Sequence, residues 1–168
     1  GARVVALDYS DELLDSAFPV KDSMHEYRKV DLTRRDSCQL VLSKIIDDLG
    51  QINILCNVAG GFLMGEAVHE TSDETWDFLF NLNTRSIVNT SSVVVPQMQK
   101  QGGGKIVNIA AKAATQCFAN MGAYTASKAA VMRLTEAMAA ELREQQINVN
   151  CIMPGTIDTP RNREDMPD

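Results

Sequence analysis

The chain has 168 residues, 45% hydrophobic and 23% charged, a makeup that supports one soluble domain with a single sizeable core. Its 16 basic and 22 acidic residues give a net charge of −6, the basic ones are scattered, and aromatics make up only 5%, which argues against nucleic acid or an anionic membrane as a partner. No run approaches the ~18 apolar residues of a membrane span, and the start lacks the charged-then-apolar pattern of a signal, so a soluble protein is expected.

Arg3 to Asp8 reads as a compact apolar strand ending on a carboxylate, and Asp11 and Glu12 open a short helix. A second strand runs from Glu26 to Val30, ending at Asp31. Thr33 can then cap a helix over 34–49, in which Leu40, Val41, Lys44, Ile45 and Leu49 recur at helical spacing and Gly50 supplies the stop. Ile52 to Val58 is apolar throughout, which suits a strand covered on both faces, as in a parallel sheet. Gly60 and Gly61 turn the chain. After a loop with Gly65, Ser72 or Asp73 caps a long helix to about Met98, with Trp76, Leu79, Phe80, Asn83, Ile87 and Val94 on one broad face. Gly102 to Gly104 close that connection and Lys105 to Ala110 returns as a strand. An alanine-rich helix covers about 122–144, and Ile147 to Met153 is the last strand before Pro154, Gly155 and a polar tail, Arg161 to Asp168.

Strand and helix alternate at least four times without internal repeats or linkers. The expectation is a single α/β domain over 1–168, a Rossmann-like doubly wound parallel sheet in three α/β/α layers. Such sheets bind ligands beyond the carboxyl ends of their strands. The first strand begins at residue 3, with no room for a preceding strand, glycine-rich turn and helix, so the domain is expected to lack its first βα unit and its C-terminal part. Cys38, Cys56, Cys117 and Cys151 form no CxxC pair and share no ligand spacing with His25 or His69. Reduced, buried thiols, no metal site and a cytoplasmic setting are therefore expected.

The sharpest chemical feature is Tyr124 and Lys128, one helical turn apart and so on one face. A free phenol titrates near ~10 and is a poor acid or base at neutral pH. An ammonium about 4 Å away contributes roughly 4 kcal/mol at an effective dielectric near 20, enough to bring the phenol close to working pH. The alanines at 123, 126, 129 and 130 would let this helix approach the sheet and a ligand closely.

In that setting Y-T-A-S-K over 124–128 resembles the signature of the short-chain dehydrogenase/reductase family. Cys56-Asn57-Val58-Ala59-Gly60-Gly61 resembles its N-N-A-G turn, Trp76 with Asn81-Leu82-Asn83 its W…N-L segment, and Asn150 to Gly155 with Thr159-Pro160 its N-x-x-x-P-G…T-P segment. The resemblance implies an NAD(P)-dependent oxidoreductase acting on a small-molecule substrate. Tyr124 would exchange a proton with substrate, Lys128 would lower the phenol's pKa and bond the nicotinamide ribose, and Asn83 would shape its helix and hold a water in the proton path. Asp8 would accept the adenosine ribose hydroxyls and repel a 2′-phosphate, favouring NAD over NADP. Asp31 and Leu32 would bind adenine, Asn57, Ala59 and Gly60 would line the cofactor, and Pro154, Gly155 and Thr159 would lie near the nicotinamide amide. The Trp76 and Tyr124 helices commonly make subunit contacts in relatives, which implies a homodimer or homotetramer.

One position departs from the family. The serine before the tyrosine, a donor to the substrate oxygen, is Ala111 here, and loss of such a donor can cost about 10² to 10³ in rate. Ala110-Ala111-Lys112-Ala113-Ala114 and the tail from Asp158 through Asn162, Arg163, Met166 and Pro167 are similar to the dihydropteridine reductase branch. That places Ala111 and Asn162 at the substrate and implies a quinonoid dihydropterin, or another conjugated carbonyl or imine. The alternative is a dinucleotide-binding protein with little catalysis, acting through association or sensing.

Overall fold

The structure, a computed structural model, describes residues 1–17 and 24–165. Among the described residues five strands, β1 (Val4–Asp8), β2 (His25–Lys29), β3 (Ile54–Asn57), β4 (Gly104–Ile109) and β5 (Ile147–Ile152), alternate with six α-helices. These are α1 (Asp11–Ala17), α2 (Arg35–Leu49), α3 (Asp73–Phe80), α4 (Ser86–Lys100), α5 (Gly122–Leu142) and α6 (Pro160–Asp165). Every strand pairing is parallel, so within each sheet the carboxyl ends lie along one edge. The strands form two sheets rather than one, β1-β2 and β3-β4-β5. Helices join them: Val30, Cys38, Leu42, Ile45, Val94 and Met98 bury into one apolar cluster with Ile106, Ile147 and Val149, against which Val5 and Leu7 also pack. Asn89 Nδ2 adds a 2.9 Å hydrogen bond to the Leu32 carbonyl. Among the described residues, no helix is long and apolar enough to cross a membrane and no cluster could hold a metal ion.

Local chemistry explains most boundaries. Ser72 caps α3, its hydroxyl accepting from the Thr75 N–H at 3.1 Å. Gly50 ends α2 in the left-handed region at φ 76°, its N–H donating to the Ile46 carbonyl at 2.7 Å. Thr33 does not cap α2, because its N–H and hydroxyl both donate to Asp31 Oδ1, and Arg34 takes the cap position with its side chain bonded to Asp36 and not to the helix N–H groups. The buried stripe of α2 is Cys38, Leu42 and Ile45, one step round from the expected face, and Leu40 is 75% exposed. Pro160–Asp165 is helical where a polar tail was expected, while Met166 and Pro167 lie outside the described residues.

The expected long helix from Ser72 is continuous but interrupted in kind. Asn81–Arg85 forms a π-helical turn between α3 and α4. The extra residue rotates the face, so that Leu79, Asn83, Ile87 and Val94 are buried whereas Trp76 is exposed and stacks on Phe80 at 4.3 Å. Strand β3 is covered on one face only. Ile54, Lys105 and Asn148, level in the register, are all exposed, as are Cys56 and Asn150, because α4 and α5 pack on the opposite face. The cysteines are not uniformly buried: all four are free, but Cys56, on the uncovered face of β3, and Cys117, in the loop before α5, are exposed and only Cys38 is buried. Burial drives the Cys38 thiol up to about 11, which makes it an inert core group.

Candidate functional site

At the carboxyl edge of β3-β4-β5 the sequence-predicted residues are drawn together by side-chain bonds. Lys128, on the first turns of α5, is 5% exposed, and its ammonium donates to the Ile109 carbonyl at the end of β4 at 2.9 Å. Burial lowers its pKa to about 8. Asn83, in the π turn, is 1% exposed and clamps the Gly61 peptide from both sides: Oδ1 accepts from the Gly61 N–H at 2.8 Å and Nδ2 donates to the Gly61 carbonyl at 3.0 Å. A Cβ on Gly60 would stand 3.0 Å from both Asn83 Oδ1 and Lys128 Nζ, so the bare glycine is what lets these side chains close on the turn.

Tyr124 lies one turn before Lys128, half-buried, with its ring edge-on to Phe62 at 4.9 Å. The Ile109 carbonyl accepts one of the ammonium's hydrogen bonds, and burial raises the phenol's pKa above the ordinary tyrosine value. The Tyr124 hydroxyl makes no hydrogen bond to any described residue. Ala111, after β4, is buried with extended backbone, and Lys112–Ala114 follows as one 3₁₀ turn whose first N–H donates to the Pro154 carbonyl at 2.8 Å. That bond brings Pro154 beside the β4 loop. Gly155 has open space where a side chain would be.

The other predicted residues stand apart from this knot. Asp8 ends β1 and accepts from the Ser10 N–H at 3.0 Å, and Asp31 follows β2, engaged with Thr33. Leu32 is tied to α4 through Asn89. Ala59 is exposed. Asn162 is committed to its own loop, Nδ2 donating to the Ile157 carbonyl and its N–H to Thr159 Oγ1, while Arg163 forms a two-pronged ion pair with Asp158.

Asn57 is structural in its bonding. Its Nδ2 donates to Asn108 Oδ1, its Oδ1 accepts from Thr90, and Asn108 Nδ2 donates to Thr135, a buried polar chain that links α4, β3, β4 and α5. Sequence reasoning missed Asn108, Thr90 and Thr135, and it passed over Ser127 and Thr84, which bond the π turn to α5. Beside the start of α5, the Gly65 N–H donates to the Asn120 carbonyl at 2.9 Å. A cavity of about 190 Å³ lies there, with Leu63, Met64, Glu66, Asn120 and Met121 in its wall.

A family model described as short chain dehydrogenase matches residues 1–168. Dehydrogenase/reductase SDR family member 6 of Aquarana catesbeiana is 36% identical over 165 residues, covering 98% of this chain and 64% of that protein. The 3-oxoacyl-(acyl-carrier-protein) reductase FabG of Thermotoga maritima is also 36% identical over 165 residues, covering 95% and 66%. A solved short-chain dehydrogenase from Streptomyces avermitilis superposes with a TM-score of 0.86 at 29% identity, over 95% of this chain and 60% of that one. The chain thus spans just under two thirds of the length of these relatives.

Proposed function

The chain belongs to the short-chain dehydrogenase family, and from that premise we propose that it acts as an NAD(P)-dependent oxidoreductase on a small substrate, with Tyr124 as the proton-exchanging group. The observation that carries this reading is the placement of Lys128 and Tyr124. A buried ammonium uses one of its three N–H donors on Ile109, and the phenol beside it on the same helix face has no partner among the described residues. A buried cation with unspent donors, a free hydroxyl and open space beside Gly155 fit a ribose with its attached nicotinamide. Hydride transfer is the chemistry that the bound nicotinamide supplies.

The chain's own residues supply the rest. Lys128 and Tyr124 would hold the ribose hydroxyls, and Pro154, Gly155 and Thr159 would border the nicotinamide amide. Burial keeps Tyr124 protonated at neutral pH, and the positive charge of a bound nicotinamide and of Lys128 would be needed to bring its proton within reach of a substrate being reduced. Asp8, at the end of β1 with one oxygen on Ser10, favours NAD over NADP by like-charge repulsion of a 2′-phosphate. Asp31 and Leu32 border the adenine, and Ala59 and Gly60 the path between. The buried Ala111 offers no second donor to a substrate oxygen, which favours a substrate whose developing charge is delocalised, such as a quinonoid dihydropterin or another conjugated carbonyl or imine. A dimer or tetramer and a cytoplasmic setting, where the exposed thiols of Cys56 and Cys117 stay reduced, belong to the same reading.

The missing hydroxyl at Ala111 also favours a second reading, dinucleotide binding without efficient turnover. Oxidation of NADH and NADPH, followed with quinonoid dihydropterin and with simple ketones, separates the two. Turnover of the pterin alone supports the first, and NADH binding without turnover of any substrate supports the second. In Tyr124→Phe, turnover is expected to fall by at least about 10²-fold with dinucleotide binding retained. Unchanged turnover in that variant removes Tyr124 from the chemistry.

A further inference from the structure

Ser127 lies between Tyr124 and Lys128 and is fully buried. Its hydroxyl donates to the Tyr124 carbonyl at 2.7 Å and accepts from Asn83 Nδ2 at 2.9 Å. Its own carbonyl accepts from Thr84 Oγ1 at 3.1 Å. Two consecutive residues of the π turn therefore grip one residue of α5, one through its side chain and the other through its backbone. In a regular α-helix, neighbours point about 100° apart and seldom reach the same facing residue. The wider π turn brings Asn83 and Thr84 onto it together.

The grip continues to the cofactor side. The same Asn83 amide that bonds Ser127 also holds the Gly61 carbonyl, so the path runs from the Gly60–Gly61 turn through Asn83 to Ser127 and on to the Tyr124 carbonyl. Each member is hydrogen-bonded and Asn83 and Ser127 are sealed from water, the condition under which such a network fixes geometry and does not merely tolerate it. We infer that Thr84 and Ser127 are positioning residues: they latch the π turn to α5 and so set the height of Tyr124 and Lys128 above the Gly60–Gly61 turn. Neither side chain reaches a reacting atom, since both spend their hydroxyls inside the protein. The inference rests on the reading of Tyr124 and Lys128 as the proton-exchanging pair for its catalytic consequence, and on the geometry alone for its structural one.

The test has two arms. In the full chain, Ser127→Ala and the isosteric Thr84→Val are compared with wild type and with Thr84→Ser, which keeps the hydroxyl. The structural arm follows amide hydrogen exchange at Gly61 and the titration of Lys128 by NMR, neither of which needs turnover. Ser127→Ala is expected to speed Gly61 exchange about threefold to tenfold, as the loss of one buried bond in the clamp implies, and to move the Lys128 titration. Thr84→Val does the same more weakly, Thr84→Ser restores wild-type values, and the double variant exceeds Ser127→Ala alone, because Thr84 bonds the Ser127 backbone carbonyl that Ser127→Ala leaves in place. The catalytic arm measures NADH oxidation and expects kcat to fall about threefold to tenfold with little change in KM for NADH. Folded variants with wild-type Gly61 exchange and Lys128 titration overturn the latch, whatever the turnover. A protein that turns over no substrate but shows the NMR changes keeps the latch and loses the enzymatic reading.

Discussion

The two acidic positions, Asp8 and Asp31, at the carboxyl ends of β1-β2, and the Asn83–Ser127–Lys128 knot, at those of β3-β4-β5, are built in opposite ways. Each aspartate bonds a residue two places along, Ser10 or Thr33, in a turn that any short peptide of that sequence could sample. The knot is made of bonds between residues 19 to 44 apart in the chain: Lys128 to Ile109, Asn83 to Gly61, and Asn83 to Ser127. A site assembled locally tolerates change one residue at a time. A site assembled from distant segments transmits a change at one member to all the others, because its buried groups have no water to fall back on.

The sharpest test of that contrast is the gap in the knot. Ala111→Ser places a hydroxyl on the β4 loop and is expected to raise simple-ketone reduction by up to about 10²-fold without improving dihydropterin reduction. Flat ketone turnover in a folded variant would show that position 111 does not face the substrate. Asn83→Ala should cost about 2–4 kcal/mol of stability in urea denaturation, because it strands the Gly61 N–H and removes three bonds at once. A loss below about 1 kcal/mol would make the knot no more cooperative than the local turns.

On the aspartate side the expected effects are smaller and confined to the cofactor. Asp8→Asn keeps an acceptor for Ser10 and removes the charge, so stability should hold while the NADH-over-NADPH preference narrows about tenfold. An unchanged preference would place the discrimination elsewhere. The smallest effect concerns pH. Lys128 has a folded pKa of about 8, below its unfolded value near ~10.5, so the unfolded chain binds the extra proton between those values. Its destabilising contribution is complete below pH ~8 and fades as pH rises toward ~10.5. Wild-type stability should therefore climb across that window relative to Lys128→Met, and parallel pH curves for the two would show that the lysine's burial carries no linkage.

How much of the site is legible without coordinates follows the same division. Tyr124 and Lys128 stand out because a helix turns every 3.6 residues and their spacing alone puts them on one face. That one ammonium N–H is spent on a carbonyl 19 residues upstream, and that burial raises the phenol's pKa, depends on how the compact chain packs. Asn83 is visible as an ill-suited residue within a helix, but its partners are not, since the π turn that aims it is set by packing against α5 and by the Gly61 peptide. Asn162, placed at the substrate by resemblance, is occupied by its own loop.

The order of strands and helices, their parallel sense, the Ser72 and Gly50 boundaries and the family itself are written in the sequence, because periodicity, caps and short motifs act over a few residues. The split into two sheets joined by α2 and α4, the one-sided cover of β3, the rotated face of the α3–α4 helix and the bond from Lys128 to the Ile109 carbonyl are not. They are settled by which distant groups reach one another once the chain is compact, and burial then multiplies the consequence of each such meeting.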